Sequence, residues 1–449
     1  MNDTIVAIST SLGVGAISII RLSGKDSIEI VNSCFKGKDL RKVDTHTINY
    51  GYIIYNNEII DEVLVSVMRA PKTYTTEDIV EINCHGGITS TNKILEIMQL
   101  EGCRLAEPGE FTKRAFLNGR IDLLESESIM DMINSKSEEA RKLSMNGITG
   151  HISNKIESFR EELKKVLSQI EVNIDYPEYY DIEVITEEKI KNIIKKLKEK
   201  LIDLVKDSEN GITIKNGIKT VIVGRPNVGK SSILNKILKE EKAIVTDIEG
   251  TTRDTVEGEI LLDGILLNII DTAGIRKTED KVEKIGVEKS LSKIEEADLV
   301  ILVINGSEEL TETDKKLLEE TKDKTRIIVI NKNDLKNKVN LNNNNNIVYT
   351  NTLTDEGVLT LVEKIKELFN LEQIKTKDYT YLSNTRQITL AKQALKNLLD
   401  AEKGIEENLP VDMVEIDLKN CFENLGEIIG KNYSNEIIDN LFKNFCVGK

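Results

Sequence analysis

The chain of 449 residues lacks several features that would place it in a common class. It has no run of about 20 apolar residues, the length that spans a bilayer. Its start has no basic region followed by an apolar stretch, so we expect no secretion signal. Five cysteines, at 34, 84, 103, 421 and 446, show neither metal-site spacing nor a disulfide framework. These absences predict a cytoplasmic protein without a membrane segment.

Basic residues are also fewer than acidic residues. The sequence has 61 Lys and Arg against 76 Asp and Glu, which gives a net charge of −15. A protein that wrapped RNA along its whole surface would usually be basic. We therefore expect any nucleic-acid contact to be local or to be made through a partner. The length is sufficient for roughly two to four domains.

The first 118 residues are rich in short runs of Ile and Val that are broken by Gly, Asn and Asp. Such runs favour strands. We predict strands at 4–8, 16–20, 46–54, 63–68 and 78–85, and one helix over 89–100. The sequence therefore predicts a compact α+β domain over residues 1–118.

Helical periodicity begins at about residue 119 and returns after residue 373. We expect Thr186 and Ser434 to cap two of the helices. The predicted apolar stripes are Ile156, Phe159, Leu163, Val166 and Ile170; Ile190, Ile193, Leu197, Leu201 and Leu204; Ile388, Leu395 and Leu398; Val414, Leu418, Cys421, Leu425 and Ile428; and Ile437, Leu441 and Phe445. We predict one discontinuous all-α domain, built from 119–216 and 373–449.

Between these halves, residues 217–372 alternate strand and helix. Continuous apolar runs at 220–223, 266–270, 299–304 and 326–330 are typical of parallel strands that are covered on both faces. The asparagine tract at 342–346 is expected to be a solvated loop. The sequence thus predicts a multidomain α/β protein with an α/β domain inserted into the helical one.

The inserted region carries a phosphate-binding motif, G-x-x-x-x-G-K-S at 224–231, between a predicted strand and a predicted helix. In such a loop backbone N–H groups surround the phosphates. Lys230 is expected to contact the β and γ oxygens, and Ser231 to ligate Mg²⁺. The motif D-T-A-G follows at 271–274. Asp271 is expected to hold Mg²⁺ through water, and the Gly274 N–H to contact the γ-phosphate.

A third motif, N-K-N-D at 331–334, ends another predicted strand. The Asp334 carboxylate can accept hydrogen bonds from both N1–H and the exocyclic amine of guanine. Adenine offers no such donor pair, so Asp334 predicts GTP over ATP. In this order, the three motifs predict a Ras-like P-loop GTPase domain.

The catalytic group is less obvious from the residues. Ras-like proteins orient the attacking water with a glutamine, but Ile275 occupies that position here. The acidic residues that follow, Glu279, Asp280 and Glu283, are the candidates to replace it. The residues alone do not choose among these three.

A counter-cation for the phosphates is also missing. Arg225 lies inside the loop and Arg253 in the candidate switch, but neither has an obvious place as an arginine finger. Asn227 offers an oxygen close to the phosphates and is a candidate to hold a monovalent cation instead. Either Thr251 or Thr252 is expected to supply the second protein ligand to Mg²⁺.

These residues resemble those of the tRNA-modification GTPases called MnmE or TrmE, and the resemblance covers the whole chain. It rests on the inserted GTPase with its switch sequence at 243–254, on P-G-E-F-T-K-R-A-F-L-N-G at 108–119, and on the terminal C-V-G-K at 446–449. The motifs and the resemblance together predict these GTP-binding positions: Asn227, Val228, Gly229, Lys230, Ser231, Ser232, Thr246, Asp247, Ile248, Glu249, Gly250, Thr251, Thr252, Asp271, Thr272, Ala273, Gly274, Asn331, Lys332 and Asp334.

The resemblance also implies two metal sites and a catalytic acid. Ser231 and Thr252 match the Mg²⁺ ligands of the family, and Glu283 matches its water-positioning acid. Glu283 and Lys230 are therefore the predicted catalytic residues. The positions that match the potassium ligands are Asn227, Thr246, Ile248 through its carbonyl, and Thr251. One departure is Asn351-Thr352-Leu353, where the family normally has Ser-Ala before a basic residue, and this puts the base affinity in doubt.

The N-terminal domain resembles the dimerising, tetrahydrofolate-binding module of the family. Arg21, Glu81, Arg120 and Lys449 match the positions assigned to 5-formyl-tetrahydrofolate. A carboxylate such as Glu81 can pair with the guanidine-like edge of a pterin. Without the resemblance, surface ion pairs would be the favoured interpretation. Cys446 is expected to have a redox or structural role, or to close the folate pocket.

The leading functional hypothesis follows from this resemblance. It is a potassium-activated GTPase whose hydrolysis is coupled to G-domain dimerisation. With a flavoprotein similar to MnmG, in a heterotetramer, it would add a carboxymethylaminomethyl or aminomethyl group at C5 of the wobble uridine of certain tRNAs. The alternative is a ribosome-assembly GTPase similar to Era or Der, although the sequence has no second P-loop and no C-terminal basic module. A third hypothesis is a regulatory switch without a substrate site.

Overall fold

A computed structural model describes residues 3–175, 187–240, 256–262, 264–270, 293–341, 346–354, 356–369, 380–431, 433 and 435–448. The chain divides into two compact units. The first contains Met1–Met130, Gly147–Lys195 and Gln393–Lys449, and the second contains Asp131–Asn146 and Lys196–Lys392. Within the described ranges, no helix is long and apolar enough to cross a membrane.

The first unit begins with a seven-stranded sheet in the order β3-β4-β5-β6-β2-β1-β7. All neighbours are antiparallel except β1 and β7. The strands are β1 (Ile5–Ile8), β2 (Ile17–Ser23), β3 (Phe35–Lys36), β4 (Thr47–Tyr55), β5 (Glu58–Met68), β6 (Ile79–His85) and β7 (Arg104–Leu105). Helices α1 (Ser27–Cys34) and α2 (Ile88–Leu100) pack on one face of this sheet, and α3 (Glu110–Leu117) follows β7.

The predicted strands of this region are present, and β5 is longer than the predicted 63–68. The extra length comes from a tight hairpin, in which Tyr55 pairs with Glu58. Asn56 and Asn57, the two residues between them, both have positive φ, at 49° and 65°. Asparagine tolerates this conformation, and two such residues in succession match the twist of antiparallel strands. The sequence analysis missed this turn because it gave the two asparagines no role.

The remaining helices are mostly amphipathic, as their periodicity predicts. They are α4 (Leu123–Asn134), α5 (Glu138–Ile148), α6 (His151–Asp175), α7 (Glu187–Asn216), α8 (Lys230–Glu240), α9 (Glu312–Glu320), α10 (Val358–Leu368), α11 (Thr385–Glu406), α12 (Val411–Ile428) and α13 (Asn435–Phe442). In the first unit α6 packs against α12, and the predicted stripe of each is buried. The Arg160 guanidinium lies 4.2 Å from the centre of the Phe422 ring, across this contact.

The predicted stripes on α7 and α13 are wrong in detail, and on α11 the predicted Leu395 is only half-buried. On α7, Ile194 is buried while Ile193 is only half-buried. On α13, Ile437 is exposed and Ile438 and Phe442 are buried, so the helix is rotated by about one residue from the predicted face. Both helices offer two adjacent isoleucines, and periodicity alone does not choose between neighbours. The predicted caps at 186 and 434 lie outside the described residues.

The second unit contains a six-stranded sheet in the order β13-β12-β11-β8-β10-β9. The strands are β8 (Ile218–Val223), β9 (Val256–Leu262), β10 (Ile265–Ile270), β11 (Leu299–Asn305), β12 (Arg326–Asn331) and β13 (Ile347–Thr350). All neighbours are parallel except β9, which is antiparallel to β10 at the edge. Alternate residues of β11 enter two separate hydrophobic clusters, so the sheet is covered on both faces, as predicted.

One of these clusters extends beyond the predicted GTPase region. It includes Ala140 and Leu143 of α5, Ile214 of α7, and Tyr381. Helical segments that the sequence analysis assigned to the all-α domain therefore share a hydrophobic core with the parallel sheet. The domain boundaries at 118, 216 and 372 stay predictions.

Candidate functional site

The phosphate-binding motif lies where the sequence predicts it, between the end of β8 and the start of α8. The first residue of α8 is Lys230, so the loop leads directly into a helix N-terminus, which favours anions. The loop backbone needs unusual conformations: φ is 63° at Asn227 and 103° at Gly229. A Cβ at Gly229 would also collide with the amide nitrogen of Asn331. Only glycine fits at that position.

Lys230 spans the loop. Its Nζ donates hydrogen bonds to the carbonyl oxygens of Gly224, at 2.8 Å, and Arg225, at 3.0 Å. The side chain is half-buried, and burial lowers the pKa of Lys230. A phosphate group bound in the loop would favour the charged form of this lysine. The ammonium is thus held at the loop by weak acceptors that an anion can replace.

Asn331 joins the loop to the strand that carries the base-recognition motif. Its buried side chain donates to the carbonyl oxygen of Val228, at 2.8 Å, and accepts from the hydroxyl of Thr350, at 3.2 Å. Asn331 therefore connects three segments, the P-loop, β12 and β13. Lys332 follows with φ of 64°, and Asp334 is exposed beyond the strand end. An exposed carboxylate at this place is available to a base.

The segment after β13 departs from the usual motif, and several hydrogen bonds hold it. The Asn351 side chain accepts a hydrogen bond from the Leu353 N–H, at 2.9 Å, and its backbone N–H donates to the Glu356 carbonyl, at 2.9 Å. The Asn333 N–H in turn donates to the Thr350 carbonyl, at 3.1 Å, which places this segment beside the N-K-N-D motif. The sequence analysis treated Asn351 only as a departure, whereas its side chain forms the turn.

Arg225 is engaged away from the loop. Its guanidinium forms an ion pair with Glu308 and lies 3.3 Å from the carboxylate of Asp314, which is buried near the start of α9. The guanidinium is thus paired with two carboxylates outside the P-loop, and the expectation that Arg225 is not an arginine finger stays a prediction.

Many predicted nucleotide-site residues lie outside the described residues, and their roles stay predictions. Strand β9 begins at Val256, four residues after Thr252, and β10 ends at Ile270, immediately before Asp271. The predicted residues that are not described are Thr246, Asp247, Ile248, Glu249, Gly250, Thr251, Thr252, Arg253, Asp271, Thr272, Ala273, Gly274, Ile275, Glu279, Asp280, Glu283 and Lys449.

A second cluster, in the first unit, brings together three of the four predicted folate residues. Arg21 Nε donates to Glu81 Oε1 at 2.8 Å, and both side chains are about one-fifth exposed. The guanidiniums of Arg21 and Arg120 lie 5.9 and 4.6 Å from the centre of the Tyr74 ring. Arg21 Nη1 also donates to the carbonyl of Gly448, at 3.2 Å. The ion pair weighed as the alternative interpretation is therefore present, within a cluster that also contains an aromatic ring.

The C-terminal segment is anchored beside this cluster. The hydroxyl of Ser9 donates to the Gly448 carbonyl at 3.0 Å, and the Gly109 N–H donates to the Cys446 carbonyl at 3.1 Å. Sequence analysis missed Tyr74 and Ser9. For Tyr74 there was a signal, because it is an aromatic residue close to Pro71 in a turn.

The cysteines differ sharply in environment. Burial raises the pKa of Cys34, Cys103 and Cys421 to about 12, and it also raises the pKa of Cys84. Cys446 is the only exposed cysteine of the five, all of which are described. Within the described ranges, His, Cys, Asp and Glu side chains form no group of three that would hold a metal ion.

The parallel sheet, the loop before α8 and the Asn331 contact define the second unit as a nucleotide-binding domain of the P-loop class. Two family models match the chain: "GTP-binding protein TrmE N-terminus" over residues 4–120 and "MnmE helical domain" over residues 123–446. The chain belongs to the MnmE family.

Relatives support this assignment along the full length. The proteins called "tRNA modification GTPase MnmE" from Ligilactobacillus salivarius and Bacillus licheniformis are each 50% identical to this chain. The protein of the same name from Bacillus subtilis is 49% identical. All three alignments cover 100% of this chain, and 98%, 100% and 100% of the respective relatives. The predicted family and the predicted multidomain α/β fold are confirmed.

Proposed function

We propose that this protein hydrolyses GTP and acts in tRNA modification. The observation that carries the proposal is the P-loop, where Lys230 donates to the loop carbonyls and Asn331 joins the loop to the strand that carries the base-recognition motif. The names of the full-length relatives support the tRNA part. Ribosome assembly of the Era or Der type has less support, because none of those full-length relatives carries such a name.

The finer reaction is a proposal from the family resemblance. The protein would add a carboxymethylaminomethyl or aminomethyl group at C5 of the wobble uridine of certain tRNAs, in a heterotetramer with a flavoprotein similar to MnmG. Its net charge of −15 supports a division of labour in which the partner holds much of the tRNA. The test is to digest total tRNA from a deletion strain to nucleosides and to look for the modified wobble uridine. A deletion strain that carries the gene on a plasmid is the control. Unchanged wobble uridines would contradict it.

We expect Mg²⁺ and K⁺ at the nucleotide. Ser231 in the first turn of α8 and Thr252 would hold Mg²⁺, while Asn227, Thr246, Ile248 and Thr251 would hold K⁺. When bound, the two cations supply positive charge to the phosphates. The engagement of Arg225 with Glu308 and Asp314 supports the need for such a cation. Glu283 would orient the attacking water.

A comparison of potassium with sodium tests the cation assignment directly. GTP hydrolysis is expected to be much faster in KCl than in NaCl at equal ionic strength, and Asn227→Ala should remove most of the difference. Equal rates for the wild type in the two salts would contradict the proposed potassium site but not the proposed GTP hydrolysis.

The cluster around Arg21 and Glu81 is proposed to bind 5-formyl-tetrahydrofolate. The Glu81 carboxylate would pair with the pterin edge, Tyr74 offers a ring face, and Arg120 and Lys449 would meet the glutamate tail or the formyl group. Isothermal titration of 5-formyl-tetrahydrofolate against the wild type and Glu81→Gln tests the site. The exposed Glu58→Gln on the same sheet is a matched control, and loss of binding in both variants would contradict a specific role for Glu81.

Homodimerisation is supported by the outward face of the N-terminal sheet. This face carries exposed apolar side chains at Ile17, Ile48, Tyr50 and Leu64, on the side opposite α1 and α2. The strand register places Tyr50 opposite Leu64. Across the four strands β2, β6, β5 and β4, the residues that lie opposite one another in turn are Arg21, Glu81, Ser66 and Ile48. Residues opposite one another point to the same face, so the folate cluster and the apolar residues share one face. A second copy docked on this face would lie beside the proposed folate site.

A further inference from the structure

The motif P-G-E-F-T-K-R-A-F-L-N-G at 108–119 forms helix α3 and the turns on either side of it. It supports the family resemblance, but none of its side chains is among the predicted folate residues. The helix lies beside the cluster that contains Arg21 and Glu81. The Phe111 ring of α3 is fully buried, and its centre is 5.8 Å from the Arg21 guanidinium. The motif is therefore in a position to act on the proposed folate site.

Two polar contacts hold the loop between β5 and β6, which carries Tyr74, against α3. Asn118, just after the helix, donates from Nδ2 to the carbonyl oxygen of Thr75 at 2.7 Å. The Arg114 side chain is 1% exposed, and its guanidinium forms an ion pair with Glu77 at 3.1 Å. Removal of one partner from such a buried pair is costly, so the backbone around Tyr74 has a fixed place relative to the helix.

A third contact involves the Tyr74 side chain itself. Its hydroxyl lies 2.8 Å from the hydroxyl of Thr112, within hydrogen-bond distance. Thr112 is fully buried in α3, and among the described residues its hydroxyl has no other hydrogen-bond partner. Valine would fill almost the same space, and a hydroxyl buried without a partner is costly. The hydroxyl of Thr112 therefore has one evident use, which is to fix the outer end of the Tyr74 ring.

The Tyr74 ring in turn contacts Arg120, whose guanidinium lies 4.6 Å from the ring centre, within the range of a cation–π interaction. The backbone of Arg120 is fixed by the end of α3, where Gly119 has φ of 73° and the Arg120 N–H donates to the Ala115 carbonyl at 2.9 Å. Arg120 is exposed, and its side chain forms no hydrogen bond or ion pair within the described part of the chain. Arg21, by contrast, is already paired with a carboxylate. Arg120 therefore carries a positive charge that is available to an anion.

We propose that Thr112 and Tyr74 are positioning residues for Arg120, which they hold where it binds the glutamate carboxylates of the folate. This inference rests on the proposed folate binding. A folate has a guanidine-like edge at its pterin end and carboxylates at its glutamate end, so the two ends need groups of opposite charge. Glu81 is suitable for the first end and Arg120 for the second. An exposed arginine loses conformational freedom when it binds a ligand, and a ring that already holds the guanidinium reduces this cost.

The test compares two ligands of the full-length protein by isothermal titration. They are 5-formyl-tetrahydrofolate and 5-formyl-tetrahydropteroate, which lacks the glutamate. The glutamate ratio is defined as the dissociation constant of the pteroate divided by that of the folate. In the wild type this ratio is expected to be about five or more, because charge-assisted hydrogen bonds to the glutamate add to the affinity. Arg120→Met should bring the ratio close to one.

The positioning variants should change the same ratio. Tyr74→Leu removes the ring and is expected to lower the ratio to below about two. Thr112→Val and Tyr74→Phe keep the side-chain shape but remove the hydrogen bond, and each should lower the ratio to roughly half of the wild-type value. The double variant should match the single ones, because both substitutions remove the same hydrogen bond. A purely structural role would weaken the binding of both ligands equally and leave the ratio unchanged.

Thr91→Val is the matched control. Thr91 is 1% exposed in α2, and its hydroxyl lies 3.9 Å from the sulfur of Cys84, away from the cluster. Its glutamate ratio should equal that of the wild type. Thr112→Ser keeps the hydroxyl and should also retain the wild-type ratio. If Thr112→Val is too unstable to assay, Tyr74→Phe removes the same hydrogen bond from a half-buried position.

Three results would overturn the proposal. The first is a wild-type glutamate ratio near one, or a ratio that Arg120→Met leaves unchanged. The second is a wild-type ratio in folded Tyr74→Leu, and in Tyr74→Phe or Thr112→Val. The third is an equal decrease in Thr91→Val. A wild type that binds neither ligand would instead contradict the proposed folate site, so the two failures are distinguishable.

Discussion

At the scale of single residues, Lys230 has the most direct chemical consequence. Its ammonium is half-buried, with two carbonyl oxygens as partners and a pKa lowered by burial. Lys230→Ala is expected to reduce the rate of GTP hydrolysis on the order of 100- to 1,000-fold, because it removes a positioned positive charge at the phosphates. Single-turnover hydrolysis at saturating GTP measures this loss.

Lys219 offers a control for that substitution. It lies on β8, a few residues before the loop, and its side chain is exposed. Lys219→Ala should hydrolyse GTP at the wild-type rate. A Lys230→Ala protein that matched Lys219→Ala in rate would contradict the assignment of Lys230 as a catalytic residue.

A pH-dependent contribution to stability comes from His85. Its Nδ1 lies 2.6 Å from a carboxylate oxygen of Asp61, and the hydrogen bond and charge of Asp61 raise the pKa of His85. A group whose pKa is raised in the folded state stabilises the fold at pH values below its pKa in the unfolded chain, which is about 6.5 for histidine. This stabilisation is lost as the pH rises through the pKa in the folded state. The difference in melting temperature between wild type and His85→Gln should therefore be larger at about pH 5.5 than at about pH 9.

His151 separates this effect from the general loss of an imidazole. Its ring contacts the hydroxyl of Thr149, at 2.9 Å, rather than a carboxylate. The melting temperature of His151→Gln, measured over the same pH range, provides the reference for that general loss. A His85→Gln difference that stays constant with pH would show that the Asp61 contact does not stabilise the charged ring.

At the scale of secondary-structure elements, the contact of α6 with α12 carries much of the helical packing in the first unit. Leu163 in the middle of α6 is 1% exposed. Leu163→Ala should lower the free energy of unfolding by about 2–5 kcal/mol, because it removes buried apolar surface and leaves a cavity. Denaturant titration followed by circular dichroism measures this change.

The neighbouring Lys164 is exposed on the same helix. Lys164→Ala should change the free energy of unfolding by less than about 0.5 kcal/mol, because it removes no buried contact. Equal destabilisation by the two substitutions would mean that helix propensity, and not packing between α6 and α12, determines the stability of this region.

The same elements show how far periodicity can be trusted. The stripes of α6 and α12 are buried as predicted, because each has one unambiguous apolar face. On α13 the choice between Ile437 and Ile438 was wrong, because adjacent isoleucines differ by only about 100° around a helix axis. The neighbours that decide this choice, such as Leu123 in the same cluster, come from distant sequence.

At the scale of the whole molecule, the outward face of the N-terminal sheet should control self-association. Tyr50 is 57% exposed and Leu64 is 45% exposed, and they lie opposite each other on β4 and β5. Tyr50→Glu with Leu64→Glu should weaken the proposed homodimer by roughly tenfold or more, because like charges would meet in a contact that is proposed to exclude water. Sedimentation velocity over a concentration series measures the dissociation constant.

Ile416 provides the control on another surface of the first unit, on α12, where it is 60% exposed. Ile416→Glu should leave the dissociation constant unchanged. A wild type that stays monomeric at high concentration would contradict the homodimer proposal. A double variant that still dimerises would show that the interface lies on another surface.

The candidate sites were predictable to different degrees. The place of the P-loop between a strand and a helix was predicted correctly, because its residues are contiguous and the motif needs no distant partner to be recognised. Arg21, Glu81 and Arg120 were identified only through family resemblance. Nothing local in the sequence relates Arg21 to Gly448, although the two are joined by a hydrogen bond of 3.2 Å.

The sequence by itself determined most of the element types, the apolar runs of the parallel sheet and the order of the nucleotide motifs, since each depends on residues close together in the chain. Only the tertiary structure decided that Asn331 contacts Val228, that two guanidiniums lie near the Tyr74 ring, and that Lys136 contacts Glu259. These contacts join residues that are 46 to 123 positions apart in the chain. Folding brings such pairs together through the packing of whole elements, and a local sequence pattern does not specify which elements will pack together.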